Sequence, residues 1–395
     1  MKRNGNLVLA VIAAILGVLV LAAAVGLLWL RRADSPQPVP TQTPAPAQET
    51  EPVAASGVQE LRFEKQSSKA LLLSWTAPDA EATEEYRVMR RPASEGDWKQ
   101  IGAVGGSDLS YTDTLSSDAP QQYLYRVDRV PARGGDAVKG AVIPASNMTV
   151  CIDPGHYLHS SELTGDALYG YGEGLFTLRL GLALREELQS GYGISVVMTR
   201  TTDSITLDGY TDGELDNHHL SLRGSYAAGS DLFLSLHTNA NQDNVNYSPT
   251  CNQPIGINKT IVFVNRVALA SETAMAQANA IGARVTAVND ACGLSTTGRF
   301  EPGVPDALRT WSDDYNDSLD TPGTVCYRDG ENHQDYYGVL RGAASVNVPG
   351  LIVEHGFHTV AEVRQAAMEG DLAQRWAEAD AAGIAEGWGF VKISV

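Results

Sequence analysis

Three apolar runs in this chain end on groups that bind metal ions or carry protons. Thr149-Val150-Cys151-Ile152 leads into Asp153-Pro154-Gly155-His156, Leu232-Phe233-Leu234-Ser235-Leu236 ends on His237, and Leu351-Ile352-Val353 ends on Glu354. Short apolar runs bounded by turn residues read as buried strands. In an open α/β sheet the loops at the carboxyl ends of strands converge on a crevice that the sheet holds rigid. A single histidine at such a place is ordinarily a satisfied side chain, but two at matching strand ends point to a shared cation. A carboxylate placed after three apolar residues is poorly solvated, which raises its pKa as general acid/base work requires.

The elements around these residues alternate strand and helix from Asn147 to Val395, the pattern of a three-layer α/β domain with a mostly parallel or mixed sheet. Gly174 to Gln189 carries Leu175, Leu178 and Leu182 at helical spacing, Ile194 to Thr199 reads as a strand, and Leu220 to Ala228 as a helix feeding the His237 strand. Beyond them come a strand at Ile261 to Val264, an Ala-rich helix from Ala268 to Val288, the strand Leu351 to Glu354 and a last helix from Ala361 to Ile384. Glu173 opens the first helix, where an acid is favoured by the positive end of the helix dipole and is held toward the exit of the first strand. His159 and Glu162 occupy the same loop and are rival donors; neither opens a helix.

Taken in order, Asp153-Pro154-Gly155-His156, Gly172-Glu173, Met198-Thr199-Arg200, Leu222-Arg223, Ser235-Leu236-His237-Thr238-Asn239 and Val353-Glu354-His355-Gly356-Phe357 resemble the motifs of zinc-dependent N-acetylmuramoyl-L-alanine amidases. The resemblance spans nearly all of residues 147–395. It implies that His156, Glu173 and His237 bind Zn2+ and that Glu354 is the catalytic acid/base, with Arg223, Asn239 and His358 as candidates for contacts to substrate. The implied substrate is peptidoglycan, cut at the amide between N-acetylmuramic acid and L-alanine. Two imidazoles and a carboxylate leave a tetrahedral zinc one position for water, whose pKa the metal lowers toward neutrality. A zinc peptidase cutting within the stem peptide, and a noncatalytic wall-binding or division scaffold, are the alternatives; retention of all four polar residues weighs against the scaffold.

The chain also departs from that family's pattern. Tyr157-Leu158-His159 stand where glycines usually follow the metal histidine, and the loop to Glu173 is long. The stretch from Arg299 to Tyr337, with Trp311, Tyr315, Tyr327, Tyr336 and Tyr337, is expected to flank or cover the cleft, because loops beyond about 15 residues are usually functional or disordered.

Upstream, Leu7 to Leu30 is almost wholly apolar, longer than the roughly 20 residues that cross a bilayer. It also outlasts the apolar core of a cleaved signal peptide. The expectation is a transmembrane signal anchor at 7–30 with residues 1–6 cytoplasmic. Lys2-Arg3 and Arg31-Arg32 flank it on both sides, so charge alone does not orient it; a wall substrate would put the remainder outside the cell membrane, facing the wall. Residues 31–57 are a Pro- and Thr-rich linker, extended at about 3.1 Å per residue.

Residues 58–146 show short β-like runs separated by turns, as in a sandwich. Leu73-Ser74-Trp75 and Tyr123-Leu124-Tyr125-Arg126-Val127 resemble a fibronectin type III domain, with Trp75 expected in the core and Tyr123 or Tyr125 as a corner tyrosine bonded to backbone. With no cluster of titratable groups, this module reads as a spacer, with wall or partner binding through an exposed loop as the alternative.

The formal net charge of −18 argues against a phosphate-binding surface, which needs clustered Lys and Arg. Nucleic acid is therefore not an expected partner; any regulatory or division partner is unspecified. Cys151, Cys251, Cys292 and Cys326 lack metal-cluster spacing. Cys151 is expected as a buried thiol, and Cys251 with Cys326 is one conceivable pair.

Overall fold

The computed structural model describes residues 57–77, 83–157, 171–240, 258–294, 309–310 (backbone only), 325–358 and 360–393. The expected anchor at 7–30, the linker to residue 56, His159, Glu162, Cys251, Trp311 and Tyr315 lie outside the described residues. Among the described residues no helix is long and apolar enough to cross a membrane.

The first described region is all β. Its strands are β1 (Gln59–Ser67), β2 (Ala70–Thr76), β3 (Thr83–Pro92), β4 (Lys99–Gly105), β5 (Ser110–Thr114), β6 (Gln122–Pro131) and β7 (Val142–Ser146). They form two antiparallel sheets in the orders β1-β2-β5 and β4-β3-β6-β7. Alternation buries Leu71, Leu73 and Trp75 of β2 against Tyr86, Val88, Tyr125 and Val127 of the other sheet, so the two sheets share one core. Trp75 meets Tyr86 edge-on at 5.4 Å.

The tyrosine expectation needs correcting. The hydroxyl of buried Tyr125 donates to the Asp113 carboxylate at 2.6 Å, which also accepts from Arg90, and Tyr123 donates to the side chain of Gln121. Tyr111 is the one whose hydroxyl reaches backbone, at the Ile101 carbonyl. Burial of Asp113 beside Arg90 created a stronger acceptor for Tyr125 than any carbonyl offers.

Only Asn147 and Met148 separate β7 from β8 (Thr149–Pro154), the first strand of the second region. There, β9 (Ser195–Met198), β12 (Leu232–Asn239), β13 (Ile261–Val264), β14 (Arg309–Thr310), β15 (Val325–Tyr327) and β16 (Gly350–Phe357) join β8 in a seven-stranded sheet. Its order is β14-β15-β13-β16-β12-β8-β9. All neighbours are parallel except β13 and β16, so the sheet is mixed. A separate hairpin of β10 (Thr206–Leu207) and β11 (Tyr210–Thr211) precedes the helices below.

Helices cover both faces. On one lie α1 (Glu173–Glu186), α5 (Glu272–Ala291) and α8 (Leu372–Trp388): α1 packs Gly181 over Ile152 and Pro154, and α8 lays Trp376 against Phe176, while α5 bonds it through Asn289. On the other lie α3 (Leu220–Ser225), with Arg223 on Asp153, and α6 (Gly338–Ser345), whose Leu340 and Ala343 approach Gly350. Short α2 (Asp212–Asn217), α4 (Arg266–Leu269) and α7 (Ala361–Glu369) complete the layers. The three-layer α/β arrangement is therefore present.

Two expected helices are each split. Ser271 accepts a hydrogen bond from the Ala274 amide and so caps a new helix after α4. Gly370 and Asp371 interrupt the last helix between α7 and α8. The 299–337 stretch, read as a loop, contributes β14 and β15 to the sheet edge. Tyr327 is level with Leu351, roughly 10 Å along the strands from Glu354 at about 3.3 Å per residue. Tyr336 is exposed beneath the Arg328 guanidinium, and Tyr337 packs on Phe263 at 4.8 Å. Cys151 is buried in β8 and Cys326 in β15.

Candidate metal centre

The site lies just past the end of β8 and in the carboxyl-terminal halves of β12 and β16, which do not end on His237 and Glu354 as expected but run on to Asn239 and Phe357. In β8 the chain turns sharply after Pro154, and His156 adopts φ +60°, a left-handed conformation rare for a side-chain-bearing residue and typical of functional turns. Gly155 makes that turn compatible with the neighbouring strand: its amide donates to the Leu236 carbonyl at 3.0 Å, and a Cβ there would fall 2.4 Å from the His237 ring. Arg200 straps the turn to α1, donating to the carbonyls of Pro154, Gly155 and Gly174.

Glu173, the first residue of α1, is buried and receives the Thr238 amide on Oε1 at 2.9 Å. His156 Nε2 lies 3.5 Å from Glu173 Oε2, and His237 Nδ1 lies 3.4 Å from Glu173 Oε1. The rings of the two histidines stand 4.9 Å apart, nearly perpendicular. One donor atom from each of the three residues falls within 4.8 Å of the others.

The hydrogen bonds behind the rings set which nitrogen faces inward. Asp216 on α2 accepts from His156 Nδ1 at 3.1 Å, leaving Nε2 as the lone-pair nitrogen of the neutral ring. Ser235 spends its hydroxyl proton on Asp153 at 2.7 Å, so its oxygen accepts from His237 Nε2 and leaves Nδ1 inward. Two lone pairs and one carboxylate thus converge, the donor set of a His₂-carboxylate zinc site, with outer carboxylates orienting the rings.

Electrostatics agree with a place made for a cation. Burial pulls His156 down, but the Glu173 charge and the Asp216 hydrogen bond outweigh it and lift His156 to about 9. Burial would raise Glu173, yet the neighbouring histidines hold it at about 2. His237 is lowered, by burial and by the His156 charge. The Glu173 charge and the Asp216 carboxylate thus favour a positive charge at His156.

Glu354 is directly opposite His237 in the parallel register of β12 and β16, so the two side chains share a face. Its Oε2 is buried with no hydrogen-bond partner. Burial, reinforced by the Glu173 charge, pushes it up to about 8.

The remaining candidates sit differently from the expectation. Arg223 is 1% exposed, and its guanidinium is spent on Asp153, Asp216 and the carbonyls of Pro154 and His156. It holds the His156 turn from beneath. His358 is also buried, with Nδ1 against the Thr238 hydroxyl and carbonyl, 3.9 Å from Glu173, and its ring stacked on Tyr171. Asn239 is half-buried, and its carbonyl accepts from the His358 amide. Sequence reasoning did not single out Asp216, Ser235 or Asp153 as ring-orienting groups. Asp153 and Ser235 stood inside quoted motifs, whereas Asp216 lies among other acids and histidines with nothing local to distinguish it.

No curated protein matches the chain by sequence. Cwp6 from Clostridium difficile is 23% identical, over 60% of this chain and 29% of its own, with a TM-score of 0.40. The catalytic domain of CwlV, an N-acetylmuramoyl-L-alanine amidase from Bacillus (Paenibacillus) polymyxa var. colistinus, is 20% identical over 60% of this chain and 97% of its own, with a TM-score of 0.38. An FN3 domain of human collagen XX is 23% identical over 26% of this chain and 99% of its own, with a TM-score of 0.20. The family model of N-acetylmuramoyl-L-alanine amidase matches residues 150–289, the segment that contributes His156, Glu173 and His237.

Proposed function

We propose that this chain is a zinc-dependent peptidoglycan hydrolase that cleaves the amide between N-acetylmuramic acid and L-alanine. The observation that carries the reading is the convergence of His156 Nε2, His237 Nδ1 and the Glu173 carboxylate beside a Glu354 carboxyl raised to about 8. His156, Glu173 and His237 would hold the ion. A zinc ion held there supplies Lewis acidity, polarising a carbonyl and acidifying a water.

The proton work falls to Glu354. With its pKa raised to about 8, its carboxylate accepts the proton of the attacking water and returns it to the departing alanine nitrogen. Burial of Oε2 without a partner keeps that oxygen available for the transfer. Asp216 and the Ser235–Asp153 pair keep the two imidazoles turned inward throughout.

Residues 7–30 serve in this reading as a single-pass anchor and residues 58–146 as a fibronectin type III-like spacer, which places the amidase domain outside the membrane, facing the wall. Metal analysis of the purified chain, coupled to mass spectrometry of digested muropeptides, tests the proposal. Release of intact stem peptide from the sugar is the expected result. Cuts within the peptide, or intact muropeptide with zinc bound, would overturn it.

A further inference from the structure

Glu354 is followed by a residue the chemistry above does not use. His355 points to the opposite face of the sheet, as alternation requires, and is fully buried together with Asp380 of α8. Its Nε2 lies 2.8 Å from Asp380 Oδ2, and its Nδ1 lies 3.1 Å from the backbone carbonyl of His237. A carbonyl only accepts, so Nδ1 carries a proton and donates it. The other nitrogen shares one proton with Asp380.

The place where this happens is irregular. His237 pairs with Glu354 and Asn239 with Phe357, so β16 holds one residue more than β12 across this step, a β-bulge. Bulges interrupt the ladder and re-aim a side chain, and they gather beside active sites. Side chains from the covering layer meet the backbone here. Asn289 on α5 donates to the His355 carbonyl at 2.8 Å, Asn258 accepts from the Phe357 amide at 2.7 Å, and His355 itself holds the His237 carbonyl.

A buried His–Asp pair is a poor way to gain stability compared with well-packed apolar residues. Asp380 Oδ1 moreover finds no hydrogen-bond partner. What the pair does accomplish is geometric: it ties α8 to the backbone of His237 and to the residue after Glu354.

We propose that Asp380 and His355 are positioning residues that fix the bulge, setting His237 for the cation and turning Glu354 toward it. Asp380 orients the imidazole, the imidazole holds the His237 carbonyl, and the separation across one strand rung stays fixed. The part concerning Glu354 rests on the amide hydrolysis proposed above; the part concerning His237 rests only on the metal site of that proposal.

Two conservative variants of the full chain separate this from simple packing. In His355→Asn the amide nitrogen superposes on Nδ1 and can still reach the His237 carbonyl. In His355→Gln it superposes on Nε2 and reaches toward Asp380 instead. Zinc affinity is read by chelator competition, and kcat and KM on muropeptide. Loss of an outer-shell partner typically costs about 10- to 100-fold in metal affinity or activity. H355Q is therefore expected to lose that much in zinc affinity and in kcat with KM unchanged, and H355N clearly less.

Equal zinc affinity and equal kcat for the two variants would overturn the proposal while an active wild type leaves the amidase reading standing. A wild type inert on muropeptide, with the zinc affinities still separated as expected, would sink the amidase reading and support the positioning of His237.

Discussion

His237 and Glu354 are register partners on parallel strands, β12 and β16, with their side chains on one face of the sheet. Neighbouring parallel strands lie about 4.8 Å apart. A group that can hold a cation and a group that can hold a proton are thereby kept one strand apart by backbone hydrogen bonding, and neither depends on a mobile loop. From this follows the first expectation about the acid/base.

Glu354→Gln should lower amide hydrolysis by about 10²- to 10⁴-fold, the usual worth of a positioned acid/base, with zinc retained. The same variant has a second signature in the metal-free protein. The carboxyl rises from its ordinary 4.5 to about 8 on folding, because burial and the Glu173 charge disfavour its ionised form. Between those values the folded chain binds the extra proton, so wild-type stability declines as pH rises from about 4.5 to about 8. Urea midpoints of chelator-treated protein at pH 5 and pH 8 should show that decline lessened in E354Q.

His156 predicts how metal affinity depends on pH. Its folded value of about 9 exceeds the ordinary 6.5, so its pairing with Glu173 and Asp216 stabilises the metal-free fold below 6.5, and that stability is lost as pH rises through 9. A metal must displace the same proton. Zinc affinity should therefore rise roughly tenfold per pH unit from pH 7 to about 9 and then level off. Asp216→Asn should weaken zinc binding by about 10- to 100-fold and bring the plateau to lower pH, which titration with a competing chelator at several pH values would measure.

Gly155→Ala tests the close approach of the two metal-site strands. A methyl at residue 155 would fall 2.4 Å from His237 Cε1 and 2.6 Å from the Leu236 carbonyl. The Leu236 oxygen is fixed in the sheet, so the turn at residue 155 must move away from β12, carrying His156 with it and disturbing the His237 ring. Zinc stoichiometry by mass spectrometry is expected to fall well below one per chain, and a fully loaded G155A protein would contradict the described turn.

Arg223→Gln is expected to act on stability before it acts on substrate. Burial disfavours the Asp153 charge, and Arg223 with Thr199 and Ser235 outweighs that, holding Asp153 below its ordinary range. Removing one partner of a buried ion pair costs about 3–5 kcal/mol. A large drop in the denaturation midpoint should accompany any loss of activity; an R223Q protein of native stability with raised KM would return Arg223 to a substrate-binding role.

The strand ends were legible before the fold was known because burial on both faces leaves an unmistakable run of Val, Leu, Ile and Phe, and the residue that breaks the run is conspicuous. That is what makes His156, His237 and Glu354 conspicuous, whereas a ligand role for Glu173 is implied by the resemblance, its place at the start of a leucine-periodic helix being otherwise explained by the helix dipole. Split helices were harder: a cap such as Ser271 looks like any other serine until its oxygen is seen accepting from Ala274.

Sequence by itself determined which polar side chains follow the apolar runs of the central strands, because hydrophobic period and turn chemistry are local, although β12 and β16 run on past His237 and Glu354 to Asn239 and Phe357. Only the tertiary structure decided which nitrogen of each ring faces inward, that Arg223 is a buried brace, and that His355 answers to Asp380 from 25 residues away. Those outcomes depend on hydrogen bonds between elements that meet only after the sheet has formed. No local pattern encodes them.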